Sequence, residues 1–327
     1  MCYTIQARKG QISTARFSMN KLKKTYLHSA RNVLAVLLIL LLCGSLWDLK
    51  ISRFLYPGHE STFGQVFAAF GELPTFVAMI CSGVLFCVCG DAMKKEFRIL
   101  FRAGSAVMIV LALIISVNEA TENVPALPGW VALLANVFAA VLASYGLLLL
   151  TRKCPAKTVF RFAFTMLFIC VGTLALVYLA KIPWGRTRMR LIRLTGNDSY
   201  FTPWWKMGTA LKDRLVADGV SAEEFHSFPS GHAACAACSW LLILLPSLNR
   251  KLRGKERLFV LIGSLWTVVV AFSRLQMGAH FLSDVTLSAL VALGMCCLGI
   301  GLFYFAKKPY RWIWELISAK EPQKNAK

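Results

Sequence analysis

The sequence predicts an all-α fold, a polytopic membrane helix bundle of about eight transmembrane helices with both termini in the cytoplasm. Three observations predict it. Of 327 residues, 57% are hydrophobic and 16% charged, where a soluble domain of this size carries nearer a quarter charged residues. The apolar residues fall in blocks of membrane length. The basic residues sort to one side of those blocks.

In chain order the apolar runs are 32–48, 74–90, 103–117, 130–150, 160–180, 231–248, 258–273 and 283–305. A helical span takes about 20 residues, with about 17 the usual lower limit, so the shorter runs borrow flanking residues. The basic segment 1–31 ahead of the first run is too long for a signal-peptide n-region. The GSLWDLK that follows offers no small-residue cleavage site, and the run reads as an uncleaved anchor.

The net charge is +21, which by itself would suit nucleic acid. Its distribution points to the bilayer as partner instead, with no nucleic acid. With the N-terminus inside and eight spans alternating, the inner segments 1–31, 91–102, 151–161, 249–257 and 306–327 hold 26 Lys plus Arg against five acids. The whole excess lies on one face, as the positive-inside bias requires. The connection 182–229 then faces out. None of the eleven cysteines falls in an outer loop. Cys235 and Cys238 form a CxxC without a second pair or the histidine spacing of a zinc site, and read as helix-packing residues.

The outer segment 182–229 is long for a structureless loop. Residues 207–224 suit one short surface helix. YFTPWW, 200–205, reads as an interfacial aromatic belt or as a lip over a lipid head group. KIPWGRTRMRLIR places Lys181, Arg186, Arg188, Arg190 and Arg193 on the face where cations should be sparse. An anion would account for them.

Two further pieces fall on that same face: Phe228-Pro229-Ser230-Gly231-His232, opening the sixth span, and SRLQMGAHFLSD, 273–284, joining the seventh to the eighth. Ser230 is a favoured helix N-cap, helix N-termini attract anions, and Gly231 lets backbone approach a ligand closely. Arg188 and Arg274 can fork onto phosphate oxygens and Lys181 adds a point charge. His280 and Asp284, four apart, are expected on one helix face, where the carboxylate would orient the imidazole. His232 is a second titrating group. Together these residues suit phosphoryl transfer through a histidine. His280 attacks phosphorus, and His232 protonates the leaving oxygen and then activates water. Arg186 is an added candidate for contact with phosphate or head group, while Arg190 and Arg193 suit anionic lipid or solvent. His59 and His226 read as ordinary loop residues.

These motifs resemble the membrane branch of the type 2 phosphatidic acid phosphatase (PAP2) superfamily, whose signature is K-x6-R-P, P-S-G-H and S-R-x5-H-x3-D. Lys181 and Arg188 stand at the required spacing, Pro229 to His232 match, and Ser273, Arg274, His280 and Asp284 match. Met189 replaces the proline expected after Arg188, a change expected to tune rather than abolish. The resemblance implies His280 as nucleophile, Asp284 as its orienter and His232 as general acid. It implies phosphate binding by Lys181, Arg188, Ser230, Gly231 and Arg274, and no metal or other cofactor. It also implies a six-helix core, here 103–306, preceded by an additional hairpin 32–102 and followed by a basic tail 307–327. GRTR and FTPWW leading into HSFPSGH resemble a bacterial subgroup that includes lipid A phosphatases. That places the site on the periplasmic side of the inner membrane, with lipid A favoured and undecaprenyl pyrophosphate or a phosphatidic-acid-type lipid close behind. Three other readings compete: a lipid-to-lipid phosphotransferase, a zinc site built on His226, His232, His280 and Asp284, and a non-catalytic transporter. Three cations crowding a dication disfavour zinc, and the span-end placement without inverted repeats disfavours a transporter.

Overall fold

The computed structural model describes residues 2–59, 61–306 and 308–319; Met1, residue 307 and residues 320–327 of the expected terminal segments lie outside them. Every regular element among the described residues is helical. Helix α1 (Cys2–Leu55) leaves helical geometry at Trp47, one residue before Asp48. Helices α2 (Thr62–Phe70) and α3 (Leu73–Cys89) form one spanning segment broken at Gly71 and Glu72. Next come α4 (Lys95–Asn123), α5 (Gly129–Thr151) and α6 (Ala156–Trp184). The long connection carries α7 (Met189–Thr195) and α8 (Thr209–Ala217), and α9 (Gly231–Ala237), α10 (Glu256–Gln276), α11 (Leu282–Ile300) and α12 (Lys308–Ile317) complete the chain. Residues 207–224, expected as one surface helix, are α8 and a separate 3-10 turn at Ala222–Phe225.

Among the described residues, seven helical segments are long and apolar enough to cross a membrane, which makes this a multi-pass membrane protein. The sixth expected run is shorter, Gly231–Ser247. Its first seven residues are α-helical and its last ten wind as a 3-10 helix. At rises of 1.5 and 2.0 Å per residue these reach about 30 Å, the thickness of the hydrocarbon core. Tighter winding makes up for the missing residues.

Packing divides the chain differently from the expected boundary between 32–102 and 103–306. Helix α1 lies along α11 and α10, while α2 and α3 pack on α10, α6 and α9, the helices that bear the motifs. The pair that stands to one side is α4 and α5, which pack on α3 and on each other. The reason is physical: Asp48 and Glu72, on the segments taken as additional, find their partners at the motif-bearing ends of α6, α9 and α11. The core runs through Leu37, Leu85, Phe160, Phe162, Ile169, Ala237 and Ala292, from α1, α3, α6, α9 and α11. Outward faces stay apolar, as Ile39, Leu42, Phe138 and Leu142 illustrate, because lipid rather than water covers them.

Helix α1 approaches α11 so closely that only glycine fits at the crossing. A Cβ on Gly44 would fall 2.8 Å from the Ser283 backbone nitrogen. Gly44→Ala is therefore expected to push the helices apart and destabilise the fold by about 1–3 kcal/mol. The check is thermal unfolding of detergent-purified protein; Gly146→Ala, which meets nothing, should melt no lower than the native chain.

Candidate active site

The motif-bearing ends of α6, α9, α10 and α11 meet at one end of the bundle, joined by the 182–229 connection. Its anchor is Arg186, whose side chain is 0% exposed. The guanidinium donates to the Thr202 carbonyl through Nε at 2.8 Å, to Ser283 Oγ through Nη1 at 2.8 Å and to Asp48 Oδ2 through Nη2 at 2.9 Å. It also pairs with Asp284 and lies 4.4 Å over the Phe281 ring. Every side of the group is occupied by protein. Arg186, a candidate substrate contact by sequence, is instead a buried structural ion.

Asp284 is likewise placed differently from expectation. Helix α11 starts at Leu282, so His280 lies outside it and the four-residue spacing does not stack the two side chains on one helix face. Asp284 sits at the third position of α11, accepts the Phe281 N–H at 2.8 Å and accepts from Ser227 Oγ at 2.6 Å. Phe281, the N-cap, has no side-chain acceptor of its own. Asp48 of α1 takes that part across the helix boundary, accepting the Ser283 N–H at 3.0 Å. The His280 Nδ1–H donates to the Ser227 carbonyl. Asp284 therefore acts on His280 through Ser227, one residue removed. A carbonyl can only accept, so Nδ1 carries the hydrogen and Nε2 of a neutral ring carries the lone pair.

His280 lines a cavity of about 610 Å³ together with Lys181, Arg188, Gly231, His232 and Arg274. Six of the residues singled out by sequence thus share one space. Arg274 donates to the Gly64 carbonyl at 2.8 Å, and Arg188 pairs with Glu223 while its Nε is buried with no hydrogen-bond partner. Ser230 does not line the cavity: its hydroxyl caps α9 at the Ala233 N–H, 3.4 Å away, and its own N–H donates to Ser288 Oγ at 2.8 Å. It shapes the loop that presents Gly231 and His232. Met189 is buried against Ile192 and Phe281, where it packs the turn after Arg188.

Several lining residues escaped the sequence reading. Glu72 stands 3.1 Å from His232 Nδ1. Glu119 and Glu122 come from α4, and Glu223 and His226 from the outer connection, with His226 Nδ1 on Glu223 at 2.8 Å. Arg190, assigned to lipid or solvent, lines the cavity and holds Glu224 by Nε and Nη2 at 2.9 and 2.6 Å. The one available signal was an acid at the edge of an apolar run, which marks Asp48 and Glu72 as residues with a task. Within the aromatic stretch, Trp204 stacks on Phe228 and donates to Ser45 Oγ at 2.9 Å, bracing the Phe228–His232 loop, while Trp205 is exposed.

His280 lies in the turn between α10 and α11, outside both helices. Burial, then Arg188 and Lys181, push its pKa well below the ordinary histidine value, which keeps the ring neutral and Nε2 nucleophilic. The His226 bond, then the Arg188 charge, hold Glu223 down at about 2, so Arg188 has a carboxylate partner until a better anion arrives.

Residues 162–308 match the family model described as PAP2 superfamily. Over 88 residues the chain is 35% identical to phosphatidylglycerophosphatase B of Bacillus subtilis (strain 168), an alignment that covers 26% of this chain and 39% of that protein. No solved structure matches.

Two outcomes follow from the geometry. Arg186→Met would leave two buried carboxylates facing each other, a loss of about 3–5 kcal/mol; its melting temperature should drop well below native, while Arg193→Met, at an exposed position, should stay within about 0.5 kcal/mol. If His280 is the nucleophile that the sequence leads one to expect, the acid limb of a kcat/KM profile should lie below about 6.5. Arg188→Gln, by removing a nearby positive charge, should move that limb to higher pH.

Proposed function

We propose that the protein is a membrane lipid phosphatase, a reading supported by the match of residues 162–308 to the PAP2 superfamily model. It removes a phosphate monoester or pyrophosphate from a lipid head group through a phosphohistidine. The observation that carries this reading is the His280 environment. A neutral imidazole is held by its Nδ1–H on Ser227, with Lys181, Arg188 and Arg274 lining the cavity it faces.

The chemistry runs in two halves. Lys181, Arg188 and Arg274 take the phosphate oxygens, Arg188 exchanging Glu223 for the stronger anion, and the Gly231 backbone lies against the group. His280 Nε2 attacks phosphorus while His232 gives its proton to the leaving oxygen. Water then attacks the phosphohistidine, His232 taking the proton back. Cations spread over the three oxygens lower the barrier because charge gathers there. Three cations at the reaction centre repel a dication, which supports a mechanism without metal. They also support hydrolysis over transport, since the site pairs its anion-holding groups with a held nucleophile.

The charge asymmetry of the sequence supports a topology with both termini in the cytoplasm and the cavity at the outer face, the periplasmic side of a bacterial inner membrane. A lipid meets that position with its tails in the bilayer and its phosphate at head-group level. Lipid A is the substrate first suggested by the sequence. The name of the Bacillus subtilis relative sets a phosphatidylglycerophosphate-type glycerolipid beside it, and undecaprenyl pyrophosphate completes the comparison.

The test is phosphate release by purified protein in detergent from each of these lipids and from phosphatidic acid, with and without EDTA. The native protein should release phosphate from at least one, unaffected by chelator, and His280→Ala should lose at least about 10³-fold. Chelator sensitivity would restore a metal mechanism. Release that needs an added acceptor lipid would make the protein a phosphotransferase.

A further inference from the structure

Glu72 is one of the cavity residues that the mechanism leaves unused, and the one that stands against His232. It occupies the break between α2 and α3, inside one spanning segment, and is 5% exposed. Carboxylates at such positions are rare and take a partner, and here the partner is His232.

The two ring nitrogens of His232 are not equivalent. Nε2 lies 2.9 Å from the Ala68 carbonyl, which can only accept, so Nε2 carries a hydrogen and is committed to backbone. Proton exchange is left to Nδ1, and Nδ1 lies 3.1 Å from Glu72 Oε1. One proton must sit between them, on the carboxyl with a neutral ring or on the ring beside a carboxylate. Either way the pair is neutral and holds one transferable proton. A neutral His232 with Nε2 tied to Ala68 and no acid beside it would have none to give. The second carboxyl oxygen, Oε2, is buried with no hydrogen-bond partner, on a residue that lines the cavity. The approach of Glu72 also explains the glycine beside His232: a Cβ on Gly231 would stand 3.2 Å from Oε1.

We propose that Glu72 is a positioning residue for the proposed phosphatase reaction, sharing with His232 the proton that the leaving oxygen takes up. The proposal rests on the phosphatase reading above. In the first half, the N–P bond to His280 forms, the P–O bond to the leaving group breaks, and the leaving oxygen takes the shared proton. The pair is left as carboxylate and neutral imidazole. In the second, the water oxygen bonds to phosphorus, the N–P bond breaks, and the water proton returns to the pair.

The test separates proton delivery from structure by changing the leaving group. Glu72→Gln keeps the size of the side chain and can donate an N–H to Nδ1, but it holds no acid proton. On an alkyl phosphate, whose leaving alkoxide needs a proton, kcat should fall by about 100-fold with KM within about threefold. The first-turnover burst of nitrophenolate from nitrophenyl phosphate should stay within about threefold of native, because that anion departs unprotonated. Placed on His232→Gln, the same change should add less than about twofold, since the two act as one unit. Equal losses on both esters would show a purely structural role and overturn the proposal, as would no loss on either. If native protein cleaves neither ester nor any of the lipids above, the phosphatase reading itself fails, a result distinct from either.

Discussion

Arg186 and its two carboxylates, Asp48 and Asp284, form the interaction on which the other parts depend. Three chain segments far apart in sequence meet there: the end of α1, the connection after α6 and the start of α11. The guanidinium has no access to solvent and packs over Phe281 and Phe201 at 4.4 and 5.4 Å. An ion buried this way is tolerated only with its partners complete. That requirement fixes the helix positions more sharply than apolar contact alone could, since helices slide over one another in lipid at little cost.

The site built on this triad has a rigid half and an exchangeable half. Asp284 holds Ser227, and the Ser227 carbonyl holds His280, so the ring proposed to aim at phosphorus is tied through two bonds to a buried ion network. Arg188, which would meet phosphate, is held loosely by comparison. Arg188 leans on Glu223, whose side chain is more than half exposed, and such pairs yield readily to a dianion. Preorganisation is spent on direction and exchange on charge.

Much of this was legible in the sequence. The helical, membrane-length nature of the spans followed from hydropathy, which expected about eight where seven among the described residues are long and apolar enough to cross, and six of the residues lining the cavity followed from motif spacing. Both depend on local composition or on short offsets along one chain. What stayed hidden depends on contacts across the bundle. Arg186 and Arg188 are two residues apart with identical side chains, and nothing local says that one is sealed among carboxylates while the other faces the cavity. The spacing of His280 and Asp284 reads as direct contact, and becomes indirect because α11 begins two residues after the histidine. Asp48 and Glu72, acids at the edges of apolar runs, drew no sequence reading because they take their meaning from partners more than 130 residues away. The role of the first two spans, and so the boundary of the core, was lost with them.

The sequence separation of the triad also sets a timetable for biosynthesis. Asp48 enters the bilayer with the first span, yet its partners lie 138 and 235 residues downstream. At elongation rates of roughly 5–20 residues per second, that carboxylate waits on the order of ten seconds or more before Arg186 and Ser283 exist to receive it. Until α11 arrives, the segments already inserted lack both the turn that carries His280 and the network that holds it. On the phosphatase reading proposed above, a nascent chain is therefore inert toward phosphate, and hydrolytic competence arrives at a single late moment, when the last membrane segment closes against the first.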